Sequence, residues 1–196
     1  MSRITRRKFV TASAGLLVAP RTFAIVQSDA DRPAFPSGVM SGDIGADRAM
    51  IWSRTDRPAR MIVEYSTTEK FDNLTRIVGP AALDTSDFTA RVDLRELPSG
   101  ETIFYRVSWQ DLSSPKTFSE PKVGRFRTPS REKQDITFVW GGDTCGQGWG
   151  IDTARGGMKI YDTMRRLQPH FFLHSGDTIY ADNPLPESIK LDDGTI

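Results

Sequence analysis

Between residues 33 and 128, apolar residues recur in short runs separated by turn residues, and no stretch carries a convincing helical stripe. Runs 49–53, 59–65, 88–94, 102–109 and 124–128 are the main candidate strands. In the third, Phe88, Ala90, Val92 and Leu94 alternate strictly with polar residues, as a sheet with one buried face requires. Strands at this spacing predict an antiparallel β-sandwich of about seven strands, of the fibronectin type III or immunoglobulin-like class. The segment 94–105 resembles the turn before strand F of such domains, where a tyrosine hydroxyl bonds back across the corner. Tyr105 is therefore expected to be structural.

Residues 129–135 are polar and led by proline, so they read as a linker, and after them the pattern changes. Residues 136–140 form an almost continuous apolar run, the mark of a strand buried on both faces of a parallel sheet. A glycine-rich loop, 141–150, follows. Within 153–168, Met158, Tyr161, Met164 and Leu167 fall on one helical face, with Arg155, Lys159, Asp162, Arg165 and Arg166 largely off it. Gly156 and Gly157 weaken the first turns, which places the start of regular helix near Met158. Pro169 ends it, and residues 170–175 form a second buried strand leading into Gly176 and Asp177. A strand–helix–strand crossover points both carboxyl ends the same way, so Asp143 and Asp177 are expected at one edge of one sheet. The predicted organisation is a mixed fold, with a sandwich over 33–128 and a linker over 129–135. The first βαβ portion of a larger α/β domain follows over 136–196.

The first 24 residues have another character. A basic stretch containing Arg3, Arg6, Arg7 and Lys8 precedes a short run of small and apolar residues over 11–20, and Arg21 to Ala24 suit a cleavage site. The run is shorter than the roughly 20 residues a bilayer span needs, so no permanent membrane anchor is expected. The pair Arg6-Arg7, with Thr5 before it and Phe9 just after, resembles a twin-arginine export signal; an ordinary secretory signal is the alternative. The implied partner is the twin-arginine translocon, and the implied location is periplasmic or secreted. Removing residues 1–24 takes away five basic residues and no acid, moving the formal charge from +1 to −4 and leaving no generic nucleic-acid footprint. Cys145 is the only cysteine, which excludes an intramolecular disulfide framework.

Chemistry concentrates after the two later strands. In open α/β sheets ligands bind beyond the carboxyl ends of the strands, and strands lie about 4.8 Å apart, so two aspartates at adjacent strand ends can share a metal cluster. The segment 176–182 contains Gly176-Asp177, then Tyr180 and Asp182, and resembles the Gly-Asp-x-x-Tyr signature of purple acid phosphatases and their calcineurin-like relatives. A hard cation favours such anionic oxygen donors. The first motif, Gly141-Gly142-Asp143-Thr144-Cys145, carries cysteine where the commoner Asp-x-His pattern has histidine. It looks like the PhoD (alkaline phosphatase D) family, a resemblance that extends over essentially the whole chain. It implies Asp143 and Cys145 as ligands, Asp177 as the carboxylate bridging the metals and Tyr180 as the phenolate on iron, with Fe3+ and Ca2+ as cofactors. No ligand role falls to Asp182. The implied activity is hydrolysis of phosphate esters by a metal-activated water or hydroxide, as an alkaline phosphatase or phosphodiesterase.

Plainer readings stand beside these. Asp143 and Asp177 also suit strand-end caps that bond loop amides, Cys145 a buried small hydrophobe, and Tyr180 a packing tyrosine. His174 reads as a hydrogen-bonding residue under the site, with metal binding as the alternative, His170 is unassigned, and Trp140 and Trp149 are packing residues, with Trp149 also suited to a substrate entrance. The Asn-His or Asn-Asp element and later histidines of such enzymes do not occur, so the chain is expected to be an inactive fragment of a longer enzyme. Two other readings remain: an exported β-sandwich binding module with a vestigial phosphatase segment, and a purple acid phosphatase-like enzyme without calcium.

Overall fold

Strict alternation dictates the first region. The computed structural model describes residues 31–144, 151, 154, 156–180 and 187–196. Seven strands come first: β1 (Val39–Gly42), β2 (Ala49–Arg54), β3 (Ala59–Ser66), β4 (Thr75–Ala82), β5 (Thr89–Leu94), β6 (Thr102–Asp111) and β7 (Lys122–Arg127). They form a three-stranded sheet, β1-β2-β5, and a four-stranded sheet, β4-β3-β6-β7, antiparallel throughout. The inward positions fill the space between the sheets: Ile51 and Leu94 from one, Met61, Val63, Ile103, Val107 and Trp109 from the other, all fully buried. Each such side chain contributes about 1.5–3 kcal/mol by leaving water. The sandwich matches the expected class.

Several details differ from the sequence pattern. Strand β5 begins at Thr89, because Phe88 has φ 53° and lies outside the alternation. Strands β1 and β4 are additional. In β4, Gly79 and Pro80 read as a turn in sequence, yet they oppose Met61 at a bulge where the β3 register shifts between Arg60 and Ile62. An edge strand tolerates such a proline because its N–H side needs no partner. A Cβ on Gly79 would come within 2.6 Å of Val92 in the other sheet, so glycine is required for the sheets to meet.

Tyr105 is structural, as expected. Its ring is buried, tilted against Phe126 at 5.9 Å, and crosses the strand pair onto Gly124, where a Cβ would sit 2.3 Å from the ring. Burial raises its pKa, opposed by a hydrogen bond with Ser41 of β1. The end of β7 is pinned to the 98–101 turn, where Thr128 donates to the Pro98 carbonyl (2.6 Å) and Ser99 to the Pro129 carbonyl (2.8 Å).

After residue 136, β8 (Phe138–Gly141) and β9 (Phe171–His174) pair in parallel, joined through helix α1 (Lys159–Arg166). The strand–helix–strand unit is as expected, though α1 is shorter than its periodic stripe: Met158 caps it and Leu167, 64% exposed, lies past its end. Among the described residues, the expected burial of both strands on both faces is not met. Helix α1 lies near Gly141 and Phe172, and among the described residues nothing covers the opposite face, where Phe138, Trp140, Phe171 and Leu173 are 49–68% exposed. Among the described residues no helix is long and apolar enough to cross a membrane.

Candidate metal centre at the carboxyl ends of β8 and β9

Beyond the end of each strand a glycine, Gly142 or Gly176, is followed by an aspartate that turns the chain. Asp143 and Asp177 have φ of 55° and 56°, a left-handed conformation that aspartate tolerates better than most residues. The two loops continue the pairing of the strands beneath them. The Ser175 N–H donates to the Gly141 carbonyl (2.9 Å), that of Asp143 to Gly176 (3.1 Å) and that of Thr144 to Asp177 (2.8 Å). Zipped together in this way, the loops carry the two carboxylates side by side.

Tyr180 completes the group. Its hydroxyl donates to Asp143 Oδ1 and lies 3.2 Å from Asp177 Oδ2. The hydrogen bond to Asp143, reinforced by desolvation and by the charge of both carboxylates, drives the Tyr180 pKa well above its ordinary value. The Tyr180 hydroxyl therefore lies where the two carboxylates converge. A cation bound there would replace the phenolic proton, since a metal lowers the pKa of a coordinating group. Three oxygen donors of this kind fit a hard cation, so the residues present are compatible with the expected centre while forming only part of a coordination shell. Among the described residues there is no group of three or more His, Cys, Asp or Glu side chains able to hold a metal. Cys145, Trp149 and Asp182 lie outside the described residues, as does the export signal over residues 1–24.

Beneath the Asp143 loop, three residues form a hydrogen-bonded line. The Gly176 N–H donates to His174 Nδ1 (3.3 Å), so neutral His174 carries its proton on Nε2, which lies 2.7 Å from the Thr144 hydroxyl. Thr144 in turn bonds the Tyr161 hydroxyl of α1. His174 therefore supports the loop from below, in the role its sequence position suggested. Thr144 and Tyr161 were not singled out for this role; the available signal was a threonine directly after Asp143 and a tyrosine on the sheet-facing helical stripe. His170 ties the start of β9 to Thr137, and Trp140 donates its indole N–H to Ser175. A cleft of about 230 Å³ opens on the α1 side, lined by Asp143, Thr144, Tyr161 and His174. A second of about 340 Å³, on the Trp140 side, is lined by Asp143, Ser175 and Asp177. Asp143 borders both.

Comparison with known proteins adds the following. The family model described as the N-terminal domain of PhoD-like phosphatase matches residues 19–130, and that described as PhoD-like phosphatase matches residues 138–196. Among solved structures, the chain is similar to PhoD at 21% identity and a TM-score of 0.57, over 73% of this chain and 27% of that one. It is also similar to purple acid phosphatase PPD1 from yellow lupin (Lupinus luteus) seeds, at 12% identity and a TM-score of 0.46, over 74% of this chain and 35% of that one. A fibronectin type III domain of human collagen alpha-1(XX) aligns at 19% identity and a TM-score of 0.38, over 50% of this chain and 83% of that one. No curated protein matches the chain.

Proposed function

The chain belongs to the PhoD-like phosphatase family, and from that premise we propose that it serves an exported, metal-dependent phosphoesterase whose cation is held by Asp143, Asp177 and Tyr180. The observation that carries this reading is the convergence of the Tyr180 hydroxyl on both aspartates at the carboxyl edge of the parallel strands. Cys145, two residues beyond Asp143, is a further proposed ligand on the family pattern. Fe3+ and Ca2+ are the proposed ions.

In this reading the zipped Gly142–Thr144 and Ser175–Asp177 backbone holds the two carboxylates against their mutual repulsion. Tyr180 would release its phenolic proton to solvent if a cation were bound, and the Thr144–His174–Tyr161 line fixes the height of the Asp143 loop. The bound cations supply Lewis acidity toward a water molecule and toward the phosphoryl oxygens of the ester. The clefts on either side of Asp143 are the proposed approaches for substrate. Activity is proposed for the polypeptide in which these residues operate with the rest of the family's domain, since this chain spans 27% of the PhoD structure it resembles.

Titration of the chain with Fe3+, followed in the visible range, tests the centre. A tyrosinate-to-iron absorption band is expected, abolished in Tyr180→Phe and weakened in Asp177→Asn; a band that survives Tyr180→Phe removes the proposed phenolate. Replacing Cys145 with serine separates a PhoD-like site, which loses iron affinity, from a purple acid phosphatase-like one, which keeps it. Export through the twin-arginine route is proposed on Arg6 and Arg7. Residues 1–30 fused to a reporter are expected to carry it out of the cytoplasm, and Arg6→Lys with Arg7→Lys to retain it there; unchanged export points to an ordinary secretory signal.

A further inference from the structure

Residues 31–128 are charge-neutral as a whole, with fourteen basic and fourteen acidic side chains. Their distribution is uneven. Strand alternation and register place Arg76 of β4, Arg60 and Glu64 of β3, Arg106 of β6 and Arg125 and Arg127 of β7 on the outer face of the four-stranded sheet. Five arginines there meet one carboxylate. Glu64 is already engaged, 2.6 Å from Arg106 and 3.8 Å from Arg76. The outer face of the three-stranded sheet carries Arg54, Arg91 and Asp93, and Arg54 is paired with Asp87. The excess positive charge therefore belongs to one face.

That face is also partly apolar. Val78 and Val123 are 63% and 69% exposed among the arginines, and the Arg106 guanidinium lies 4.6 Å over the Phe71 ring. We propose that the outer face of the β4-β3-β6-β7 sheet is a peripheral docking surface for a membrane rich in anionic phospholipid. Guanidinium groups bind phosphate oxygens in a two-pronged geometry, and a negatively charged leaflet attracts basic residues within a Debye length. The exposed valines choose between a membrane and a soluble polyanion: they gain free energy at the boundary of headgroups and acyl chains and nothing from a hydrated polymer. This inference does not depend on the phosphoesterase reading.

The test uses a chain beginning at Asp31, which keeps every residue of the buried core, sedimented with vesicles of phosphatidylcholine alone or mixed with phosphatidylglycerol. The expected result is binding to the mixed vesicles that weakens with added salt and falls about fivefold for each of Arg125→Gln and Arg127→Gln. Val123→Ser is expected to weaken it further, while Phe138→Ser, outside the sandwich, leaves the lipid preference unchanged. Arg76→Gln, at the opposite edge, gives an independent reading should a β7 variant fail to fold, as judged by circular dichroism. The proposal is overturned by absence of binding, by equal binding to both vesicles, or by binding indifferent to the arginine variants. It is also overturned if soluble polyphosphate binds instead and Val123→Ser has no effect.

Discussion

The two regions of this chain use similar apolar segments to opposite effect. In the sandwich, β6 sends Ile103, Tyr105, Val107 and Trp109 against a second sheet, and each is at most 2% exposed. In the βαβ unit, β8 and β9 are at least as apolar, yet Trp140 is 68% and Leu173 50% exposed. An apolar strand is therefore buried only where another layer meets it; its own composition supplies the need for cover and not the cover. The βαβ unit is ordered at the carboxyl ends of its strands by hydrogen bonds between loops, whereas the sandwich is ordered by its core.

The largest expected effect breaks that comparison directly. Trp109→Ala is expected to cost about 3–5 kcal/mol, whereas Phe171→Ala, which loses mainly its stacking on Phe138 at 5.2 Å, is expected to cost about 1 kcal/mol or less. Urea denaturation with amides of β6 and β9 followed separately by NMR measures both. Equal costs would mean that the open face of β8 and β9 is covered in solution.

A smaller effect sharpens the contrast at glycine. Gly124→Ala places a methyl group against the Tyr105 ring inside the sandwich and is expected to cost about 1–3 kcal/mol. At Gly142, where an added Cβ meets nothing nearer than 3.7 Å, the same change is expected to be close to neutral. Thermal melts of the two variants compare them; a neutral Gly124→Ala would show that the sheet yields around the ring.

The smallest expected effect concerns acid. Asp111 accepts hydrogen bonds from the Ser113 hydroxyl and from the Ser113 and Ser114 N–H groups, and these hold its carboxyl below the usual carboxylate range. A depressed folded-state pKa contributes stability that is present above the ordinary carboxylate pKa of about 3.9 and is lost as pH falls through the lower folded value. Asp111→Asn keeps an acceptor oxygen there and should flatten that part of the acid limb. An unchanged limb in pH-dependent denaturation would assign it to other carboxylates, such as Asp56.

Much of the fold was legible because period-two alternation is a local property. Strands β2, β3, β5, β6 and β7 lie within a few residues of their apolar runs. Strand β4 was not legible, since Gly79-Pro80 is a turn signal unless the strand is known to be an edge with a bulge. The candidate site was legible as two Gly-Asp steps after apolar runs, with Tyr180 three residues beyond the second. The support from Thr144 and Tyr161 was not, because the helical stripe places Tyr161 toward the sheet without saying which loop hydroxyl it meets.

By itself the sequence determined where five of the sandwich strands and the strand–helix–strand unit form, where glycine and aspartate turn the chain, and which side chains have the chemistry to hold a cation. Only the tertiary structure decided that β4-β3-β6-β7 is one sheet with a basic outer face, that Tyr105 packs on Phe126 and Gly124, and that helix α1 lies against the face of β8 and β9 that carries Phe172. The reason is physical: propensity and alternation act between neighbours in the chain, whereas sheet order, burial and charge asymmetry depend on contacts between segments tens of residues apart.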